Sequence, residues 1–334
     1  MKKHANVAIF VPHQGCPGEC VFCDQRAISG GSEAPSPHDV VRLLEEGKRT
    51  LGPRVGEAEI AFFGGSFTAI DPEYRKSLLM AAEPYLGKDS YAGIRVSTRP
   101  DAVDRKILVE LKGRGVTAIE LGAQSMDNTV LIAAGRGHTA RHTEEASRLI
   151  KEAGFSLGLQ MMTGLPGDSD EGALETARRF IALKPDTVRI YPALVLKGTR
   201  LEELYRAGSY TPQSLREAVS LCARLLGEFT GAGVRVIRLG LHAGESLARR
   251  IAAGPWHPAL RDLAEGEVML KKARLAVALL KPGPVELFVE PGGESRMAGQ
   301  RRVNLRALED MGYPAVIRPH PGLGYLQVMA ADGK

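Results

Sequence analysis

Short apolar runs alternate with longer amphipathic ones along most of the chain, the pattern of repeated β/α units built round a parallel sheet. The runs at residues 7–11, 60–63, 94–98, 118–122, 157–162 and 187–191 have strand length and few polar positions. The segments between them carry helix punctuation. Ser36-Pro-His-Asp39 sets a capping side chain and a proline at the first helical position ahead of Val40, Val41, Leu44 and Leu51. Asp71-Pro-Glu opens a second helix, and a helix over 139–153 stops at Gly154. Further helices are predicted over 171–183 and 212–230, and 234–239 is a seventh strand candidate. Beyond it the pattern predicts helices at 244–253 and 258–280, separated by Gly254-Pro-Trp-His-Pro258. After the linker Lys281-Pro-Gly-Pro284 come a strand at 285–289, a helix at 303–311 and strands at 315–318 and 325–329. The predicted organisation is an α/β core over residues 1–240, a helical extension over 241–283 and a small C-terminal β-α-β element over 284–334.

Composition narrows the class. A chain of 334 residues, 44% of them hydrophobic, is long enough for a large core. No run approaches the roughly twenty apolar residues of a membrane span. The basic start, Met-Lys-Lys-His-Ala-Asn, lacks a signal-peptide cleavage pattern, so a cytoplasmic location is expected. Four cysteines, three of them clustered, suit a reducing compartment. The net charge of +5 is compatible with a polyanionic partner such as RNA. The denser basic sets are Arg249-Arg250 and Arg296, Arg301, Arg302 and Arg306, for which a solvated basic face is the alternative.

The clustered cysteines carry the chemistry. Cys16, Cys20 and Cys23 form CxxxCxxC on a glycine-rich turn directly after the first strand. Three thiolates suit a 4Fe–4S cluster with one iron left free, because a cubane held by protein alone takes four cysteines. A structural zinc would need a fourth ligand, for which His13 is the nearest candidate. A disulfide would leave one odd cysteine. Cys222, on an apolar helix face, reads as core packing.

In β/α barrels the chemistry sits at the C-terminal ends of the strands, and the unusual polar groups fall there. The cysteine loop follows strand one, Gly64-Gly65-Ser66 follows strand two, and Ser97-Thr-Arg-Pro-Asp101 ends strand three. Gln124-Ser125 follows strand four, Gln160 lies near the end of strand five, and Arg189 and Tyr191 end strand six. The glycine pair either offers its backbone to a ligand or forms a plain turn. Arg136, twelve residues after Gln124, either meets that ligand or serves as a helix-end cation on a carbonyl. Of the alternating Met161 and Met162, one is expected in the core and the other in the cavity. His242 and His257, near Trp256, either line a pocket or are satisfied structural histidines.

The cysteine spacing, with Phe22 ahead of the third cysteine, resembles the signature of the radical S-adenosylmethionine (SAM) superfamily. The resemblance implies a partial (β/α)6 TIM-like barrel, with Cys16, Cys20 and Cys23 holding a 4Fe–4S cluster and SAM as cofactor. Gly64 and Gly65 resemble the GGE-type motif that holds the SAM amino group, with Ser66 where Glu or Thr is common. The arrangement of Gln124 and Arg136 is similar to that in the catalytic radical SAM subunit of Elongator (elongator protein 3-like proteins) and in oxygen-independent coproporphyrinogen III oxidase. In those families the Gln meets the SAM ribose and the Arg its carboxylate. Phe22, Ser97 and Gln160 are counted with them as cofactor-binding. Met161-Met-Thr-Gly-Leu-Pro-Gly-Asp168 and the segment from Arg189 to Arg206 favour the Elongator-subunit likeness, which covers about residues 5–240.

Three departures stand beside the likeness. Elongator subunits usually have a longer gap between the first two cysteines. Relatives often have Glu where this chain has Ser97, a departure at one ribose contact. The last fifty residues show no glycine-rich pyrophosphate loop, so no acetyl-coenzyme A binding is expected. The implied reaction is reductive cleavage of SAM to a 5′-deoxyadenosyl radical, with an electron donor such as flavodoxin or ferredoxin. Arg189 and Tyr191 are the residues expected to position substrate for catalysis. A tRNA wobble uridine is the first substrate reading and a tetrapyrrole-like metabolite the second. A non-catalytic iron–sulfur RNA-binding protein is the third, against which Gly64, Gly65, Gln124 and Arg136 argue.

Overall fold

A computed structural model describes residues 5–12, 15–16, 20–24, 34–241 and 245–333. The chain runs through β1 (Ala5–Val11), α1 (Pro37–Leu51), β2 (Ala58–Gly64), α2 (Pro72–Ala82), β3 (Ile94–Thr98), α3 (Arg105–Gly113) and β4 (Val116–Gln124). It continues with α4 (Asn128–Ala133), α5 (Ala140–Glu152), β5 (Ser156–Thr163), α6 (Asp170–Ala182), β6 (Thr187–Pro192), β7 (Val195–Leu196) and α7 (Arg200–Arg206). Then come α8 (Leu215–Gly231), β8 (Arg235–Leu239), α9 (Glu245–Ala248), β9 (Ile251–Ala253) and α10 (Leu260–Val277). The last elements are β10 (Val285–Val289), α11 (Glu294–Ala298), α12 (Val303–Glu309), β11 (Ala315–Pro319) and β12 (Val328–Asp332).

Seven strands form one sheet in the order β1-β2-β3-β4-β5-β6-β8, every neighbouring pair parallel. This is the open half-barrel expected of the resemblance, with the 234–239 candidate joining as the seventh strand. Strands covered on both faces need apolar residues on both, and Ala118, Ile119 and Leu121 of β4 are buried accordingly. The punctuation works as the sequence predicts. Asp39 N–H donates to Ser36 Oγ at 3.2 Å and Ser36 N–H to Asp39 Oδ2 at 3.0 Å, a reciprocal cap on α1. Behind α5, Phe155 N–H donates to the Ile150 carbonyl at 3.1 Å, closing the helix end.

The chain divides into two compact units, Met1–Pro212 with Gly233–Gly254 and Gln213–Ala232 with Pro255–Lys334. The first holds the seven-stranded sheet. In the second, α8 packs on α10, and a three-stranded sheet runs β11-β10-β12, with β10 parallel to β11 and antiparallel to β12.

Two segments differ from the periodicity. Residues 244–253 are not one helix: after α9 the chain becomes β9, which pairs antiparallel with β7. The open edge of β7 supplies a ladder partner, and Lys197 N–H donates to the Arg250 carbonyl at 2.8 Å. The last strand starts at Val328, not Tyr325. The Tyr325 hydroxyl is held by Glu265 at 2.5 Å and the buried Leu326 sits at φ 57°, so the ladder begins beyond them. Among the described residues no helix is long and apolar enough to cross a membrane.

Candidate active site

The cysteine segment is fixed by its backbone. At Gly15 (φ 70°) a Cβ would stand 2.3 Å from the Ser66 carbonyl oxygen and 2.7 Å from the Ala69 carbonyl carbon. The loop therefore lies directly on the turn after β2, where only glycine fits. Cys23 N–H donates to the Cys20 carbonyl at 3.0 Å, and between them Val21 is tied on both sides. Its N–H donates to Ala134 at 3.1 Å, and its carbonyl accepts from Leu201 N–H at 2.7 Å. The Val21 side chain is buried with Val130, Ala134, Leu165, Val195 and Leu201, and Phe22 packs against that group.

Cys16 and Cys23 line a cavity of about 500 Å³ at the C-terminal ends of the strands. Cys20 lies beside it, 3.1 Å from Arg136 Nη1. Burial, then the neighbouring Cys20 and Cys16, push the Cys23 thiol up to about 12. Burial and Cys20 raise Cys16 as well. Thiols crowded in this way ionise when a metal takes the charge. Among the described residues no three His, Cys, Asp or Glu side chains converge on a single ion position. The crowded trio beside an open cavity suits a multi-iron group. His13, the alternative zinc ligand, lies outside the described residues.

Each strand end contributes to the cavity wall. Gly65 N–H donates to the Val11 carbonyl at 2.8 Å, and a Cβ on Gly64 (φ 116°) would stand 2.8 Å from that oxygen. The glycine pair thus clamps the end of β2 to the end of β1, and both glycines line the cavity. Ser66 does not line it. Its fully buried hydroxyl is 2.8 Å from Thr98 Oγ1 and accepts Arg99 N–H at 3.2 Å, so it ties the turn to β3. Ser97 is in the wall.

Gln124 reaches the cavity because the backbone bends for it. Its φ is 66°, and the ladder between β4 and β5 shifts register between Leu121 and Gln124. Such backbone persists where its surroundings hold it in place. Gln160 Nε2 donates to Gln124 Oε1 at 3.2 Å. Arg136 sends Nη2 to the Gly122 carbonyl at the end of β4, at 2.5 Å, rather than to a helix end. Its buried Nε has no hydrogen-bond partner. Arg99, doubly bonded to Asp101 at 3.0 and 2.8 Å, braces the Arg136 carbonyl through Nη2.

On the far side Arg189 Nε meets Glu120 Oε2 at 2.7 Å, with both side chains largely buried. The guanidinium lies 4.8 Å above the Phe63 ring, and Nη1 is 3.4 Å from the Tyr191 hydroxyl. Burial opposes the Arg189 charge, but Glu120 outweighs it and holds the group protonated. Burial raises Tyr191. Ser97 Oγ stands 3.5 Å from Glu120 Oε1, its register partner on β4.

Glu120, Arg99 and Arg238 also line the cavity and were not singled out from sequence. Glu120 had a signal: it is the one carboxylate in an apolar run of a central parallel strand, where acids are rare unless paired. Met161 is buried and Met162 faces the cavity, as their alternation predicts. Cys222 is buried in α8. His257 Nδ1 accepts Ala259 N–H at 3.0 Å, a turn-holding bond. His242 lies outside the described residues.

The cysteine triplet thus follows the first strand of a parallel half-barrel. Residues 10–180 match the Radical SAM superfamily. The chain belongs to that family. Residues 185–271 match the Radical_SAM C-terminal domain. Elongator complex protein 3 of Danio rerio is 32% identical over 248 residues, 68% of this chain and 44% of the relative. The tRNA uridine(34) acetyltransferase of Methanocaldococcus jannaschii is 27% identical over 256 residues, 65% of this chain and 47% of the relative. The chain thus spans about half the length of these curated relatives. The archaeal Elp3 of Methanocaldococcus infernus shares the fold with a TM-score of 0.65 at 24% identity, over 82% of this chain and 64% of that one. The chain is a radical SAM enzyme related to Elongator protein 3, a family that implies a 4Fe–4S cluster and SAM.

Proposed function

We propose that this chain cleaves SAM reductively in the half-barrel cavity and acts on a tRNA base. The observation that carries the reading is the convergence of the cysteine loop, the Gln124–Gln160 pair and Arg136 on one cavity. Cys16, Cys20 and Cys23 hold the cluster. Cluster and SAM together, when bound, supply a carbon-centred radical by one-electron cleavage of the sulfonium. The residues hold and shield. The unpartnered Arg136 Nε–H is free for a carboxylate. Gln124 and Gln160 offer amide groups to ribose hydroxyls, and Gly64 and Gly65 let the ligand approach the backbone. Phe22, Met162 and Leu194 give the wall an apolar lining that excludes water. Arg189, Tyr191 and Glu120 position substrate.

The tRNA part is supported by the relative whose name specifies tRNA uridine(34), by the net charge of +5 and by the exposed Arg301, Arg302 and Arg306. Arg296, grouped with them in sequence, is committed to Glu290 and Glu265 at 2.5 and 3.4 Å.

Anaerobic reconstitution tests the core of the proposal. About four irons per chain are expected, lost on replacing Cys16, Cys20 or Cys23 by Ala and retained in Cys222→Ala. The reduced protein should convert SAM to 5′-deoxyadenosine and methionine, and Gln124→Ala should weaken SAM binding with iron intact. A fully iron-loaded wild type that releases no 5′-deoxyadenosine refutes the proposal.

A further inference from the structure

The charges around the cavity do not balance. The lining residues carry four guanidinium groups, on Arg99, Arg136, Arg189 and Arg238, against one carboxylate, Glu120. Three of the four are engaged: Arg99 by Asp101, Arg189 by Glu120, and Arg136 by Cys20 and the Gly122 carbonyl. The Arg238 guanidinium, near the end of β8, makes no ion pair or hydrogen bond among the described residues. Arg238 is the register partner of Arg189, so two arginines sit on neighbouring strands in a wall whose single carboxylate Arg189 already engages. Such a group, half withdrawn from water beside a like charge, is stabilised when an anion enters.

The first strand supplies a second unfilled contact. Phe10 lines the same cavity, yet the residue is 39% exposed. Among the described residues its ring neighbour is Phe63, tilted by 53° at 6.5 Å, and the face of Phe63 is covered by Arg189. An aromatic ring with an open side and a guanidinium without a counter-ion, in one cavity, match the two ends of a nucleotide. Bases out of a helix are read by stacking on aromatic rings, and phosphates by arginine.

We infer that Phe10 and Arg238 bind a nucleotide unit of the substrate, the base against the Phe10 ring and the phosphate on the Arg238 guanidinium. The inference rests on the proposed action on RNA and adds the groups that receive the reacting unit.

The test uses the full, iron-loaded chain and three probes: uridine 5′-monophosphate, uridine and malonate, measured by calorimetry under nitrogen. In the wild type the monophosphate binds at least about tenfold tighter than uridine, the phosphate contribution of one charge-assisted contact. Arg238→Gln removes that advantage and Arg238→Lys keeps part of it. Phe10→Ala weakens uridine and the monophosphate alike, by about tenfold, as the loss of one stacked base requires. Unchanged iron content and thermal midpoint in the variants show that the fold is intact, and Arg238→Lys serves if Arg238→Gln does not fold. A wild type that does not prefer the monophosphate overturns the inference. So does an Arg238→Gln that keeps the preference, or malonate binding as tightly as the monophosphate. The proposed SAM cleavage fails by a different signal, the absence of 5′-deoxyadenosine, with the nucleotide preference intact.

Discussion

His138 should give this protein an acid-sensitive stability that a single substitution removes. The ring is buried, with Nε2 3.1 Å from the Ala123 carbonyl, to which it donates, and Nδ1 has no partner. Burial first, then the Arg136 charge, push its pKa from an ordinary 6.5 down to about 4. The unfolded chain therefore takes up a proton at a pH where the folded chain does not. Stability is complete above the unfolded value and is lost as pH falls from there towards the folded one. At about 1.4 kcal/mol per pH unit, the loss is about 2 kcal/mol by about pH 5 and approaches ~3 kcal/mol below the folded value. His138→Gln keeps a donor for the Ala123 carbonyl and cannot titrate. Urea denaturation of both proteins at about pH 7 and about pH 5 should show the wild type losing ~2 kcal/mol more than the variant. Equal losses in the two proteins would mean that the folded state accepts the proton and that the ring is not shielded as described.

Gly15→Ala should lift the cysteine loop from the turn after β2, because its Cβ meets backbone atoms that cannot yield. Iron per chain should fall several-fold while far-ultraviolet dichroism is retained, and full iron loading would refute the docking argument. In the second unit, Glu265 is buried and accepts from Arg261 at 2.6 Å and the Tyr325 hydroxyl at 2.5 Å, with Arg296 at 3.4 Å. Glu265→Ala removes the buried carboxylate that Arg261, Arg296 and the Tyr325 hydroxyl share and should cost about 3 kcal/mol, with faster amide exchange in β10 and β12. A thermal midpoint equal to that of the wild type would contradict this.

The alternation of apolar runs was sufficient for the half-barrel because parallel strands announce themselves locally, by length and by the caps between them. The position of polar groups at strand ends likewise brought Cys16, Cys23, Gln124, Arg136, Gln160 and Arg189 to one cavity. What was not legible depends on partners remote in sequence. Residues 251–253 form a strand because β7 offers an edge more than fifty residues earlier, which helical periodicity cannot register. Ser66 turns inward because Thr98 and the Arg99 amide wait for it on the next strand. Glu120 and Arg189 belong to strands that are not neighbours, and their pairing follows from both side chains pointing into the same barrel.

The division of the chain into two interleaved units has a consequence for synthesis and for the gene. As the protein leaves the ribosome, α8 emerges before β8, the seventh strand of the barrel sheet. The helix carries the buried Leu221, Leu225 and Phe229, and its packing partner α10 is made only after β8. The barrel sheet can therefore be complete while one helix still lacks its partner, an interval in which nascent chains are prone to associate. A stop codon after Gly254 would leave that helix unpartnered for good, and one after Pro284 would remove all three strands of the second sheet. Neither unit can be lifted out by a single cut, so recombination that moves the barrel must carry α8 with it or splice across two junctions.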